Sequence, residues 1–185
     1  METKQLIRTK TIQKRKELTL QERMEKSDRI TEQVILTPQW NRADTVLLYA
    51  DFNCEVMTDK LVFQALLKGK HVYMPRVEGD TMSFYRIYSL EELIPGSFGI
   101  REPIDIQSEK LISCKGKHIV MIIPGVAFDK RLNRIGYGKG FYDKFLAEFP
   151  IKDTIAIAFS CQIYDEIPYN ETDKKVSMLI CEEKN

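Results

Sequence analysis

The predicted fold is decided by residues 45–74, TVLLYADFNCEVMTDKLVFQALLKGKHVYM. Thr45–Ala50 is an apolar run with the length of a buried strand. A helical pattern follows over Thr58–Lys68 and stops at Gly69, since glycine readily adopts the conformation that ends a helix. His71–Met74 has the composition of a second buried strand. The order strand, helix, strand predicts a βαβ unit and therefore parallel strands.

Two helices are predicted ahead of this unit. Lys4–Glu17 is strongly charged and carries a few apolar residues, and Thr19–Glu22 (TLQE) has the pattern of a capping box that begins a second helix. Pro38 is expected to end that second helix, because proline cannot continue it.

The strand pattern resumes beyond the βαβ unit. Met82–Ile87 is a candidate strand. Ile94–Pro103 (IPGSFGIREP) is a predicted loop, because it contains several glycines and prolines. The later predicted elements are a strand at Ile119–Ile123, a helix at Tyr142–Phe149, and strands at Thr154–Phe159 and Val176–Cys181. We therefore expect an α/β fold with a mostly parallel central sheet and helices on both faces, formed as a single domain over residues 1–185.

The composition narrows the classes of partner. The chain has 28 basic and 27 acidic residues and a formal net charge of +1, so bulk charge indicates neither a nucleic acid nor a membrane partner. Its four cysteines form no CxxC pair and no zinc pattern, which is typical of reduced thiols. Because the sequence has no secretory signal and no membrane-length apolar run, we expect a cytoplasmic protein. We also expect it to be a monomer.

One glycine-rich stretch is the strongest candidate for a ligand site: RLNRIGYGKGFYDKF, Arg131–Phe145. It lies between a predicted strand and a predicted helix, at the sheet edge where α/β folds bind ligands. Alternating glycines allow positive φ and let backbone N–H groups approach an anion, while Arg134 and Lys139 add full charges. Asp143 follows at the start of the helix and could hold a metal that bridges phosphates. The stretch therefore predicts a magnesium nucleotide or a phosphate.

This pattern has limited specificity by itself. It is not a GxxxxGK[ST] loop, and Phe141 stands where a GxGxxG motif would need its third glycine. A glycine-rich turn with cations is also typical of an ordinary turn.

The longer segment PGVAFDKRLNRIGYGKGFYDKFL, Pro124–Leu146, closely resembles the signature of the 5-formyltetrahydrofolate cyclo-ligases, also called 5,10-methenyltetrahydrofolate synthetases. Weaker similarities cover the rest of the chain, in order: Lys4–Arg8, Tyr49–Glu55, Met74–Arg76, Gly99–Pro103 and Pro168–Asp173. The resemblance implies ATP- and Mg²⁺-dependent cyclisation of 5-formyltetrahydrofolate to 5,10-methenyltetrahydrofolate, with release of ADP and phosphate. It also implies a Rossmann-like fold similar to that of sugar-phosphate isomerases and CoA transferases.

The resemblance further implies roles for individual residues. The positions that match ATP-binding residues of the family are Lys4, Arg8, Arg134, Ile135, Gly136, Tyr137, Gly138, Lys139, Gly140, Phe141 and Tyr142. The positions that match substrate-binding residues are Ala50, Glu55, Tyr137, Lys139 and Phe141. Asp143 and Asp173 match magnesium ligands, and Lys139 and Arg134 are expected to be catalytic. Many family members have tyrosine where this chain has Phe141.

The residue types allow simpler interpretations as well. Lys4 and Arg8 share a helix face, and such a face is usually solvated. Glu55 could accept hydrogen bonds from the amino and ring N–H groups of a pterin, or it could be a surface loop acid. Asp173, in NETDKK, resembles a turn residue. Phe98, Met57 and Met74 could line a cleft but are more typical of core.

Three function classes are compatible with the sequence: the cyclo-ligase, a sugar-phosphate isomerase or acyl-CoA transferase on a related fold, and a non-catalytic nucleotide- or RNA-binding module. The net charge near zero argues against RNA binding. Isomerisation of a sugar phosphate does not need a metal-compatible carboxylate such as Asp143 directly behind a phosphate loop. ATP-dependent formation of the methenyl product would separate the three.

Overall fold

A computed structural model describes residues 2–104 and 109–183. It begins with three helices: α1 (Lys4–Glu17), α2 (Leu20–Leu36) and α3 (Pro38–Arg42). The predicted capping box is confirmed, because the Thr19 side chain accepts from the Glu22 backbone N–H and the Glu22 side chain accepts from that of Thr19. Pro38 lies beyond the end of α2, as predicted, but it also begins α3, which the sequence prediction missed. Proline suits this first position because its missing N–H would have no helical partner there.

The remaining strands and helices follow in chain order: β1 (Thr45–Leu47), α4 (Asp59–Leu67), β2 (His71–Glu78), β3 (Thr81–Ile87), β4 (Leu93–Pro95), β5 (Arg101–Pro103), β6 (Ile119–Ile123), β7 (Ala127–Asp129), β8 (Arg134–Ile135), α5 (Phe141–Glu148), β9 (Asp153–Ile157), β10 (Ile163–Tyr164) and β11 (Met178–Ile180). The central sheet has the strand order β11-β9-β6-β1-β2-β3. All its pairs are parallel except β2 with β3. The predicted βαβ unit and the mostly parallel sheet are therefore confirmed.

Both faces of the sheet are covered by helices. Val46 of β1 packs with Ile30 of α2 and Leu61 of α4, and all three are fully buried. On the opposite face, Leu47 shares a cluster with Phe145 of α5. This alternation along β1 follows from the two-residue repeat of a strand, and it confirms the predicted helices on both faces. A single domain over residues 1–185 stays a prediction.

The prediction of a loop over Ile94–Pro103 is wrong. β4 and β5 pair antiparallel there, with Leu93 opposite Pro103 and Pro95 opposite Arg101. The glycines mark only the turn of this hairpin, where Phe98 has a φ of 60°. The short strands β7, β8 and β10, which form a second small sheet, were also missed. Strands of two or three residues are too short to show a hydrophobic repeat. Within residues 2–104 and 109–183, no helix combines the length and apolar character needed to cross a bilayer.

Candidate functional site

A cleft of about 690 Å³ lies at the carboxyl ends of β6, β1 and β2. Pro124, which follows β6, Ala50, which follows β1, and Pro75 of β2 all line it. This is the edge of the sheet where open α/β folds bind ligands. Every residue that the sequence assigned to a site contributes to the wall: Lys4, Arg8, Ala50, Glu55, Asp173 and the continuous run Arg134–Asp143.

The glycine loop, defined as residues 136–140, occupies one wall of the cleft between β8 and α5. Gly138 has a φ of 107° and Gly140 a φ of 69°, conformations that residues with a Cβ rarely adopt. Gly136 does not share this conformation, which corrects the expectation for three alternating glycines. A Cβ at Gly136 would lie 2.9 Å from Nη1 of Arg134, so a larger residue there would displace this guanidinium.

Two cations of α1 reach the glycine loop and its surroundings. Nε of Arg8 donates to the carbonyl oxygen of Gly136 at 2.7 Å. Lys4 forms an ion pair with Asp173, 169 residues away in sequence. A purely solvated basic helix face is therefore the wrong interpretation for Lys4 and Arg8, which carry positive charge into the cleft.

Arg134 is the buried cation of the loop. Its side chain is only 4% exposed, and its Nη2 donates to Oδ1 of Asp143 at 2.9 Å. The guanidinium carbon lies 5.7 Å from the ring centroid of Tyr142. Burial raises the pKa of the Tyr142 hydroxyl well above its ordinary value, and the nearby carboxylate of Glu55 raises it further. The Tyr142 hydroxyl is therefore neutral at physiological pH.

The other loop residues differ in what they can present to a ligand. Ile135 is 1% exposed, and its side chain belongs to a buried cluster with Ile7, Ala127 and Ile167. Lys139 is exposed, and no hydrogen bond or ion pair holds its ammonium group within the described ranges. Phe141 is partly buried against the core cluster of α5. Lys139 is therefore the exposed charge of the loop, and Arg134 is the buried, paired one.

Asp143 and Asp173 lie at neighbouring places on the cleft wall. Oδ1 of Asp143 accepts from the backbone N–H of Lys174 at 3.0 Å, and Oδ2 of Asp173 accepts from that of Asn170 at 2.7 Å. Burial acts to raise the pKa of Asp173, but the hydrogen bonds from Lys4 and Asn170 outweigh it and lower the pKa overall. Asp173 is thus held as a carboxylate.

The two carboxylates fit a magnesium ion. Among the described residues, protein hydrogen bonds reach only Oδ1 of Asp143 and Oδ2 of Asp173, so one oxygen of each remains for an ion. No group of three or more His, Cys, Asp or Glu side chains suited to a metal occurs in the same part of the chain. Mg²⁺ is usually held by one or two carboxylates together with waters and phosphate oxygens, so a third is not required.

The loop after β1 contributes a buried acid to the cleft. Glu55 is 6% exposed, so its interpretation as a surface loop acid is wrong. Its Oε2 accepts from the backbone N–H of Phe52 at 3.0 Å, and its Oε1 lies 3.8 Å from Nη1 of Arg15. Burial raises the pKa of Glu55 to about 7, although the positive charge of Arg15 opposes the rise. A carboxyl group in this state can change its charge near neutral pH.

Comparison with known proteins identifies the chain. The sequence model of the 5-formyltetrahydrofolate cyclo-ligase family matches residues 1–182. The chain belongs to this family. The "Probable 5-formyltetrahydrofolate cyclo-ligase" of Schizosaccharomyces pombe is 33% identical over 170 residues, which cover 84% of this chain and 83% of that protein. The 5-formyltetrahydrofolate cyclo-ligase of Mus musculus is 31% identical over 189 residues, covering 96% of this chain and 92% of the mouse protein.

Solved structures agree with the family assignment. The NMR structure of the Aquifex aeolicus 5,10-methenyltetrahydrofolate synthetase superposes with a TM-score of 0.84 at 31% identity, covering 98% of this chain and 90% of that one. The synthetase of Mycoplasma pneumoniae gives a TM-score of 0.78 at 22% identity, covering 98% of this chain and all of the other, which supports the fold alone. Of the three function classes, the comparisons favour the enzyme, a 5-formyltetrahydrofolate cyclo-ligase.

Several residues of the cyclo-ligase cleft were not assigned from the sequence. Arg15 contacts Glu55 from behind the wall, and Phe52, Phe98 and Glu102 line the cavity. Phe98 is of a residue type more typical of core, but it is 62% exposed. Arg15 did have a signal, because it lies seven residues after Arg8 and so returns to the same face of α1. The neighbouring lysines make Arg15 look like one more residue of a solvated basic helix, so this spacing does not stand out in the sequence.

Glu55 should make the stability of the empty cyclo-ligase fall as pH rises from about 4.5 to 7. Over that range the folded protein keeps the Glu55 proton that the unfolded chain releases, so ionisation favours unfolding. We expect Glu55→Gln to remove this part of the slope, up to about 3 kcal/mol over the full range. Urea unfolding of both proteins at several pH values measures the difference. Parallel curves would contradict the raised pKa.

Proposed function

We propose that the protein cyclises 5-formyltetrahydrofolate to 5,10-methenyltetrahydrofolate at the expense of ATP, with Mg²⁺ as the metal and ADP and phosphate as the other products. One observation carries the proposal. A single cleft brings a cationic glycine loop together with a buried carboxylate suited to the N–H groups of a pterin. The first feature suits the phosphates of a nucleotide, and the second suits the folate.

The nucleotide half of the cleft is proposed to comprise α1 and the glycine loop. The backbone N–H groups around Gly138 and Gly140 would approach the phosphates, since no Cβ blocks them. Lys4, Arg8 and Lys139 would add positive charge there. Asp143 and Asp173 would hold Mg²⁺ with their remaining oxygens. When bound, the ion would neutralise charge on the β- and γ-phosphate oxygens.

The folate half is proposed to centre on Glu55. Its carboxylate would accept hydrogen bonds from the pterin amino and ring N–H groups, a paired arrangement that discriminates strongly when buried. Ala50 and Phe141 would contact the ring system, and Tyr137 would lie beside it. Lys139 and the Tyr137 ring are exposed and line the cleft, so both could approach either substrate.

The reaction needs the formyl oxygen to become a leaving group. The γ-phosphoryl group would pass to this oxygen as its bond to ADP breaks. N10 would then attack the formyl carbon and lose its proton, and the carbon–oxygen bond would break to release phosphate. Arg134 and Lys139 are proposed as the catalytic cations, because they would stabilise charge on the transferring group. Positioning and charge are sufficient here, and no protein nucleophile is required.

Residue 141 is a phenylalanine, so this position offers no phenol group to the reaction. Since phenylalanine has no hydroxyl group, no proton can be exchanged with the formyl group from this position. The nearby Tyr142 hydroxyl is held neutral by burial, which raises its pKa. In this chain the proposed activation therefore relies on phosphorylation and cations, without a phenol at residue 141.

A direct assay tests the function. The protein is incubated with 5-formyltetrahydrofolate and MgATP, and the absorbance of the methenyl product is followed. We expect turnover that stops when ATP is omitted and falls when magnesium is chelated. Folded protein that binds ATP yet forms no methenyl product would overturn the proposal. A monomeric state, a cytoplasmic location and the lack of nucleic acid or membrane partners stay predictions.

A further inference from the structure

Helix α1 buries an arginine directly behind the proposed folate half of the cleft. The Arg15 side chain is 0% exposed. Its Nη2 donates to the carbonyl oxygen of Asn53 at 3.0 Å and to the hydroxyl of Tyr137 at 2.5 Å. Its Nη1 lies 3.8 Å from Oε1 of Glu55. Arg15 therefore contacts Glu55 and Tyr137, two of the side chains that the proposed function places beside the pterin.

The polar atoms around Arg15 are incompletely paired. Nε and Nη1 of Arg15 and Oε1 of Glu55 have no hydrogen-bond partner in the part of the chain that the structure describes. Buried polar atoms without hydrogen bonds lower the free energy of unfolding. An apolar side chain of similar volume in place of Arg15 would avoid this destabilisation. Glu55 lines the cleft, and its Oε1 is buried on the side that faces Nη1 of Arg15.

We propose that Arg15 is a positioning residue for the folate substrate: it holds Glu55 as an acceptor for the pterin N–H groups and fixes the Tyr137 hydroxyl beside it. This inference rests on the proposed function and deepens it, since it names the group that orders the folate half of the same cleft. Arg15 lines no part of the cleft itself and acts through these two side chains.

The charge around Glu55 supports this role. Burial raises the pKa of Glu55 to about 7, and Arg15 opposes that rise. The titratable and charged groups that face Glu55 are Arg15 of α1, Tyr49 after β1, Asp51 in the same loop, Tyr137 of the glycine loop and Tyr142 of α5. Arg15 is the cation in this set. Without it the pKa of Glu55 would rise further, and a larger fraction of Glu55 would be protonated and unable to accept a second N–H group at neutral pH.

The position of Arg15 on α1 allows its role to be separated from nucleotide binding. Lys4 and Arg8 lie on the earlier turns of the same helix and contact the nucleotide half, whereas Arg15 lies two turns beyond Arg8. A positioning role therefore predicts an effect on folate with little effect on ATP. A purely structural role would disturb both, because displacement of α1 would move Lys4 and Arg8 as well.

The test compares Arg15→Gln and Arg15→Lys with Lys16→Gln. The control removes one positive charge from the next residue of the same helix, which is exposed. We expect Arg15→Gln to raise the KM for 5-formyltetrahydrofolate about tenfold to a hundredfold, with the KM for ATP within about twofold of wild type. The acid limb of kcat/KM for folate should shift to higher pH, because this limb reports the free enzyme and loss of the cation raises the pKa of Glu55. Arg15→Lys, which keeps the charge, should retain the wild-type acid limb but not the full folate affinity.

The outcomes are distinct. If the folate KM and the acid limb of Arg15→Gln match those of Lys16→Gln, the inference is overturned while the proposed function stands. Equal losses of ATP and folate affinity, or failure of both Arg15 variants to fold, would assign Arg15 a structural role and also overturn it. Absence of turnover in the wild-type protein would instead reject the proposed function.

Discussion

Asp143→Asn should lose turnover by roughly 100- to 1,000-fold while its affinity for 5-formyltetrahydrofolate changes little. The substitution removes a negative charge from the proposed magnesium site, whereas the pterin is proposed to bind at Glu55. The metal concentration needed for half-maximal rate should rise, and high magnesium should restore part of the activity. Steady-state rates over a magnesium titration, with folate binding measured by calorimetry, test both parts.

The ion pair between Asp143 and Arg134 must be separated from the metal role. Arg134 is 4% exposed, so the loss of its partner also leaves a buried cation less well neutralised. A matched control is Asp165→Asn, which breaks an exposed pair with Lys130. If Asp143→Asn is slow at every magnesium concentration, with no rescue, the carboxylate is a partner of Arg134 and not a metal ligand.

Asp173→Asn should change the rate in the same direction but by a smaller factor. Asp173 lies in a loop near the carboxyl terminus, whereas Asp143 lies in the first turn of α5. The loop is held by the ion pair with Lys4, so this variant also loosens a cation of the nucleotide half. We therefore expect both the magnesium requirement and the KM for ATP to rise. Normal turnover of both aspartate variants at low magnesium would reject the metal site.

Gly138→Val should weaken ATP binding by about tenfold to a hundredfold and leave folate binding nearly unchanged. Gly138 has a φ of 107°, a conformation that a β-branched residue essentially never adopts. The nearest atoms to an added Cβ belong to the guanidinium of Arg8 at 3.8 Å, which is an ordinary contact. The expected damage therefore comes from backbone strain, which would turn the loop N–H groups away from the phosphates.

Gly116→Val provides the matched control for this strain. Gly116 has a φ of 70°, has no atom within 4 Å of an added Cβ, and precedes β6 at the opposite end of the sheet from the cleft. It should lower stability without a change in ATP affinity. Calorimetric titration of each variant with ATP and with folate gives the comparison. Equal ATP affinity for wild type and a folded Gly138→Val protein would reject the glycine loop as a phosphate site.

The sequence alone determined the elements that depend on neighbouring residues. The apolar run of β6 was predicted with its observed bounds, Ile119–Ile123, and the capping box of α2 was recognised from four letters. The parallel order of β1 and β2 followed from the helix between them. The position of the glycine loop ahead of a helix was also evident, because the spacing of glycines and the start of a helix are local patterns, whereas β8, the strand directly before the loop, was missed.

The hairpin at β4 and β5 shows where local patterns fail. Glycine and proline indicated a turn correctly, but whether the flanking residues pair depends on contacts with β2 and β3 that no local pattern contains. Helix α3 was missed for a related reason, since five residues are too few to show a helical repeat.

Only the tertiary structure decided the chemical state of the site. Lys4 reaches Asp173 across 169 residues, and Arg15 meets Glu55 across the boundary between α1 and the loop after β1. Residue type alone suggests an ordinary surface acid for Glu55, with an ordinary pKa. Burial in the folded protein raises that pKa to about 7, because the cost of removing a charge from water depends on the surroundings that packing creates. Sequence spacing determines which side chains share a helix or a loop, whereas desolvation and long-range ion pairs exist only once the chain has folded.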